Sequence, residues 1–194
     1  MSEFAFNLNE KYTYKDYLDF PENIRCELIN GVIYNMSPAP RRYHQKISTR
    51  LLVKFFNYLE NKPCEVYDAP FDVRLPLTKE NSDFLINTVV QPDIVVVCDK
   101  FKLDDAGCLG APDLIVEIIS ESTASKDLKI KFNLYEKVGV KEYWIVFPDE
   151  KIIQIFKLKN GEYGKPEVFG LDDKIVVGLF PDLTIEVNDL FRSI

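Results

Sequence analysis

The chain has 194 residues, 46% hydrophobic and 28% charged, with a formal net charge of −7. That length fits one domain with enough interior to fold without disulfides or a structural metal, and 13% aromatic residues exclude a disordered or low-complexity chain. Twenty-four bases against 31 acids argue against a non-specific nucleic-acid binder, although net charge is an average and binding surfaces are local. The first twenty residues lack the basic start and apolar stretch of a signal peptide. The longest apolar runs fall far short of the roughly 18 residues of a membrane helix. Four cysteines at 26, 64, 98 and 108 form no C-x-x-C pair, and one histidine argues against a zinc site. The expectation is a soluble cytoplasmic protein with four separate thiols.

Thr13 with Asp16 resembles a capping box opening a short helix whose apolar face is Tyr14, Tyr17 and Leu18, ended by Pro21. Residues 26–37 read as a hairpin turning at Asn30-Gly31. Residues 42–60 form the first long helix, with Ile47, Leu51, Leu52, Phe55, Phe56 and Leu59 as its buried face. Segments 64–75 and 89–97 read as strands joined by a polar loop at Lys79–Ser82. VVQPDIVVV is apolar and β-branched enough to be covered on both faces. A loop at 99–112 leads to the buried strand DLIVEIIS. Ser122 or Thr123 then caps a second helix, about 124–138, ending at Gly139. Strands follow at 142–147 and 151–158, and a weaker one near 166–169 after the Asn160-Gly161 turn. The fold class is α/β (α+β): a mixed sheet flanked by helices, in one domain over 1–194 with a core of about 12–147 and a C-terminal β extension of about 148–190.

Charged residues inside buried strands are costly unless paired, metal-bound or functional. Asp93 and Glu117 are such residues. If their strands pair antiparallel, Asp93 near the start of one meets Glu117 near the end of the other. Asp113, four residues from Glu117 and roughly 13 Å along an extended chain, falls at the opposite end. Two converging carboxylates without a histidine partner suit Mg²⁺ or Mn²⁺; the competing reading pairs each acid with a buried base. On the next helix Asp127, Lys131 and Tyr135 share one face. Lys131 could serve a phosphoryl transition state, or simply pair with Asp127 in solvent. Glu27 could add a ligand if its hairpin abuts the first long helix, and is otherwise an exposed strand acid. His44, beside Gln45, is a phosphate contact, a proton shuttle or a helix-opening residue. Arg42, Lys46, Arg50 and Lys54 make a basic stripe at i+4 spacing. It reads as a polyanion surface or as the solvated side of the helix.

The run from ELINGVI through HQKI and VVQPDIVVV to GAPDLIVEIISESTASKDLKIKFNLYEKVGVKEYWIVFPDEKIIQIFKL resembles a large bacterial family of restriction-endonuclease-like proteins, formerly a domain of unknown function, in the PD-(D/E)XK nuclease superfamily. The likeness covers roughly 12–190 and is most specific over 111–147. It implies that Asp93 is the acid of the Pro-Asp motif and Glu117 that of the E-x-K motif. Ile119 stands where the superfamily usually has lysine, and Lys131 is implied as the substitute. Glu27 matches an acid the superfamily often places early, and Gln91 a polar position before Pro-Asp. The resemblance implies Mg²⁺-dependent (or Mn²⁺-dependent) hydrolysis of phosphodiesters in DNA, metal held by Asp93, Glu117 and a carbonyl near Ile118, and a homodimer. Ile119 keeps open the alternative of a nuclease-derived binding module that no longer cuts; a dimeric scaffold with a purely structural acid cluster is a third reading.

Overall fold

In the computed structural model, the described residues are 6–7, 10–21, 23–36, 39–77, 82–121 and 123–192. Of the residues expected to form the polar loop and the cap of the second helix, 79–81 and Ser122 lie outside that range, as does Ser37 of the hairpin.

The chain opens with α1 (Tyr14–Leu18), capped as its sequence predicts: the Thr13 side chain accepts from the Asp16 N–H, and the Asp16 carboxylate accepts from the Thr13 N–H at 2.8 Å. The hairpin follows as β1 (Cys26–Ile29) and β2 (Val32–Asn35). Its turn residues Asn30 and Gly31 hold φ of 51° and 76°, the left-handed region a two-residue turn demands. Helix α2 (Arg42–Leu59) buries Ile47, Leu51, Phe55 and Leu59, while Phe56, expected on that face, is 60% exposed.

Both segments expected as long strands are broken. One becomes β3 (Glu65–Asp68) and β4 (Val73–Arg74); the other becomes β5 (Val89–Val90) and β6 (Ile94–Val97). Pro92 has no N–H for a ladder, so the second run breaks there. Each break also moves the chain from one sheet to another. The expected 99–112 loop contains β7 (Leu103–Asp104) and β8 (Gly107–Leu109). Next comes β9 (Leu114–Ile118), wholly buried as an apolar strand should be. The second helix is in two parts, a π-helix over Lys126–Lys131 and α3 (Phe132–Val138). The chain continues as β10 (Glu142–Phe147), β11 (Ile152–Lys159), β12 (Glu162–Tyr163), β13 (Glu167–Phe169), β14 (Lys174–Val176), β15 (Thr184–Glu186) and α4 (Val187–Phe191). That final helix is not signalled by the sequence pattern.

The architecture is mixed α+β. One sheet runs β2-β1-β5-β4-β8-β7; a second runs β12-β11-β10-β9-β6-β3 with β13 on β11; β14 and β15 form a separate pair. Strands β9 and β10 are parallel and joined by the π-helix and α3, a crossover that a parallel pair requires. One face of the second sheet packs on α2, α4 and the β14–β15 pair around Trp144, Phe55 and Ile94. Its other face packs on α3 and the first sheet around Tyr135, Tyr143 and Val95.

The expectation of four separate thiols is corrected. Strands β3 and β6 pair with Glu65 opposite Val97, and the next pair outward joins Cys64 to Cys98 in a disulfide. Cys26 and Cys108 are free and buried, and burial pushes both thiols up to about 11, which keeps them protonated at neutral pH.

Candidate active site

The site forms where the two sheets diverge. Strands β6 and β9 are antiparallel with Ile94 opposite Val116, so continuing that register by one residue sets Asp93 opposite Glu117. The Ile118 N–H donates to Asp93 Oδ2 at 2.7 Å. Asp113 goes to the far end of β9, where it accepts from the Cys98 N–H and from Lys141 at 2.7 Å each. The antiparallel pairing expected from the sequence is observed, and it sets Asp93 with Glu117 and Asp113 apart from them.

Glu117 lies on the face of β9 that meets the crossover. Its Oε1 accepts from Lys131 Nζ at 2.7 Å and from the Tyr135 hydroxyl at 2.9 Å. Lys131 Nζ also sits 2.6 Å from Glu27 Oε1 and 3.7 Å from Asp127 Oδ1. The face shared by Asp127, Lys131 and Tyr135 thus points into the protein. Lys131 is 2% exposed, which removes the solvent-facing reading of its pair with Asp127. The Tyr143 hydroxyl donates to the Asp127 carbonyl at 3.1 Å and ties the π-helix to the sheet.

Glu27 is completely buried. Strand β1 brings it from the first sheet to the π-helix, whereas the sequence suggests the first long helix as its neighbour. Its Oε1 accepts from the Gln91 N–H at 3.0 Å, and its Oε2 is 2.5 Å from Lys126 Nζ. The Gln91 side chain in turn donates to Asp72 at 2.8 Å and to the Tyr17 hydroxyl at 3.1 Å. His44, near the start of α2, places Nε2 at 3.2 Å from Asp93 Oδ2.

The electrostatics follow from crowding. Burial opposes charge on Lys131, but Glu117, Glu27 and Asp127 together hold its ammonium well above its usual value. Burial raises Glu117, and Asp127, Asp93 and Glu27 add repulsion that Lys131 does not cancel. Burial alone would raise Glu27 too, yet the two lysines hold it below the ordinary glutamate value. Asp127 is raised by burial, and its Oδ1 is buried without a hydrogen bond. Burial lowers His44, but Asp93 and the Ile118 backbone more than offset that. Four acids therefore face two lysines and one histidine.

The donors are carboxylate oxygens, which suit a hard divalent cation. A surplus of acids over bases, two of those acids raised by burial, and an unbonded buried oxygen on Asp127 are consistent with such an ion. Among the described residues no group of three or more His, Cys, Asp or Glu side chains is arranged to hold a metal. A cation here would therefore rest on two carboxylates and the main chain.

The structure gathers Glu27, Asp93, Glu117, Lys131, His44, Gln91, Asp127 and Tyr135 in one cluster and does not bring the basic stripe into it. Arg50 donates to the Leu190 and Arg192 carbonyls at 2.9 and 2.8 Å, and Lys54 to Asp189 at 3.2 Å. Those two bases anchor α4 and line a cleft of about 490 Å³ with Arg192. Arg42 is exposed and Lys46 half-buried. Sequence pattern does not single out Lys126, Asp72 or Tyr17. Lys126 reads there as one more solvated base, and only the π-helical geometry turns it toward Glu27.

A model of the Uma2 family, described as "Putative restriction endonuclease", matches residues 13–188. The chain is 30% identical over 127 residues to the uncharacterized protein slr1290 of Synechocystis sp. (strain PCC 6803), a match spanning 64% of this chain and 62% of that one. A crystal structure of a putative nuclease belonging to DUF820 from Anabaena variabilis superposes with a TM-score of 0.73 at 21% identity, over 92% of this chain and 97% of that one. At that identity the likeness speaks to the fold. No helix among the described residues is long and apolar enough to cross a membrane.

Proposed function

The chain belongs to the Uma2 family of restriction-endonuclease-like proteins, and from that premise we propose that it is a divalent-metal-dependent endonuclease acting on DNA. The observation that carries this reading is Asp93 opposite Glu117 at a break between two sheets, with the Lys131 ammonium 2.7 Å from Glu117. Asp93, Glu117 and the Ile118 carbonyl would hold Mg²⁺ or Mn²⁺. Such an ion supplies Lewis-acid polarisation of the phosphate and a more acidic water.

The protein's own groups do the rest. The Ile118 N–H and His44 fix the Asp93 carboxylate. Tyr135 and Lys131 both bind Glu117 Oε1, which leaves Oε2 to face the reaction. Lys131, displaced to the π-helix from the position that Ile119 occupies, offsets charge between Glu27 and Glu117 as the phosphate gains it. Glu27 holds that ammonium in place, Gln91 steadies Glu27 through its N–H, and Asp127 closes the ring around Lys131. Arg42 and Lys46 offer a basic approach for the duplex. A cytoplasmic homodimer belongs to the same reading.

The test is cleavage of linear duplex, supercoiled and single-stranded DNA with Mg²⁺ or Mn²⁺. Cleavage should stop in Asp93→Ala and in Glu117→Ala while the circular dichroism spectrum is kept. No cleavage by the native protein of any nucleic acid, or full cleavage by both variants, ends the proposal. Ile119 supports a second reading, a module that binds without cutting; salt-sensitive binding without cleavage would select it.

A further inference from the structure

The π-helix determines which lysines can reach the site. In an α-helix two residues five apart point about 140° away from each other. A π-helix closes i→i+5 bonds, and here the Phe132 N–H reaches back to the Asp127 carbonyl. Residues five apart therefore stack on one side. Lys126 and Lys131 are such a pair, and their ammoniums grip the two oxygens of one carboxylate, Glu27 Oε2 at 2.5 Å and Oε1 at 2.6 Å.

The two lysines are not equivalent. Lys131 has a side chain 3% exposed; its ammonium bonds Glu27 and Glu117 and lies 3.7 Å from Asp127 Oδ1, an ion pair without a hydrogen bond. Buried among three carboxyl groups, it has no open side for a direct bond to an incoming anion and acts on one only as a held charge. Lys126 is 15% exposed, stands on the solvent side of the buried Glu27, and makes one ion pair among the described residues. Two of its three N–H groups remain for another acceptor. If it turns to a phosphate, Glu27 keeps Lys131 and the Gln91 N–H, so its charge stays compensated.

We infer that Lys126 is the ammonium that touches the scissile phosphodiester, and that Lys131 is a positioning residue acting through Glu27 and Glu117. This rests on the nuclease reading above and divides its labour between two lysines. The π-helix is then the device that puts an outward-reaching cation and a locked one on the same acid.

The experiment measures binding of a fluorescent 20-base-pair duplex by anisotropy across a salt series, with Ca²⁺ replacing Mg²⁺ to hold back cleavage. Native protein is compared with Lys126→Met and Lys126→Arg. Loss of one phosphate contact should weaken binding about tenfold in Lys126→Met and lower the salt slope by about 0.9. Lys126→Arg should keep the slope. A merely structural lysine would not change the slope. Should Lys126→Met fail to fold, Lys126→Gln, which can still donate to Glu27, carries the same comparison. Equal affinity and slope in native protein and the uncharged variant overturn the assignment of Lys126 and leave the nuclease reading intact. Native protein that neither binds nor cuts DNA overturns the nuclease reading and this assignment with it.

Discussion

Strand β9 has a buried acid towards each end, Asp113 just before it at 5% exposure and Glu117 within it at 4%. Both face an antiparallel neighbour, and each bonds a lysine at 2.7 Å. Their surroundings differ. Asp113 has one backbone donor and one lysine that is 61% exposed, so its single charge is met by donors and by water. Glu117 shares a fully buried lysine with Glu27 and stands beside Asp93 and Asp127. Burial is common to the two ends. The ratio of acids to bases separates them, and crowded buried acids with raised pKa values support the cation site proposed above.

The sharpest way to break this comparison is to remove each lysine. Lys131→Met strands the buried Glu117 and leaves Glu27 with Lys126 alone, and should cost about 3–5 kcal/mol, with cleavage lost. Lys141→Met removes an exposed partner and should cost at most about 1 kcal/mol, with cleavage kept. Urea unfolding of both variants checks this; equal losses would mean that the two ends are alike. Next come the acids themselves. Glu117→Gln should reduce cleavage at least about a hundredfold while changing stability little, since it relieves repulsion as it removes a bond. Asp113→Asn should leave the cleavage rate unchanged and cost about 1 kcal/mol.

The contrast is partly legible in the amino-acid sequence. Strand polarity alone places Asp93 with Glu117 and Asp113 away from them, because antiparallel pairing fixes which ends meet. Glu27 and Lys131 can be named from their positions, but their burial cannot, since it depends on β1 reaching across from another sheet. Lys126 is invisible for a different reason. STASKDLKIKF reads as an ordinary helix, and the wider π-turn is set by packing, through contacts such as Tyr143 to the Asp127 carbonyl. The Cys64–Cys98 bridge depends on the β3–β6 register across 34 residues, which cysteine spacing does not reveal. The stripe on α2 is a genuine pattern, yet α4 covers half of it, and nothing in the sequence announces α4.

The quiet end also carries a pH signature. Glu142, at the start of β10, is 3% exposed, accepts from Trp144 Nε1 at 2.9 Å, and is raised above its usual value by burial. Between about 4.5 and its folded pKa, the folded protein holds a proton that the unfolded chain has released. Stability contributed by this group is therefore present at acidic pH and falls as pH rises through that window. In Glu142→Gln that part of the slope should vanish, a change of at most about 1.4 kcal/mol per pH unit. Melting curves from pH 5 to 8 in chelator-containing buffer measure it, and an unchanged slope would show that Glu142 is not held protonated by burial.

The smallest expected effects separate the two halves of the α2 stripe. Arg50 donates to two carbonyls of the α4 segment, so Arg50→Ala should lower stability by about 1–2 kcal/mol through charge-assisted bonds lost at a partly exposed site. Arg42 is exposed at the helix start, on the same end of α2 as His44 and hence nearer Asp93. Arg42→Ala should leave stability within about 0.5 kcal/mol and weaken duplex binding by about two- to threefold at low salt, with a shallower salt slope. The reverse outcome, binding lost in Arg50→Ala and stability lost in Arg42→Ala, would move the nucleic-acid surface from the start of α2 to the cleft beside α4. Arg42 and Arg50 share one sequence pattern, so what each does is decided by where the fold places it along α2.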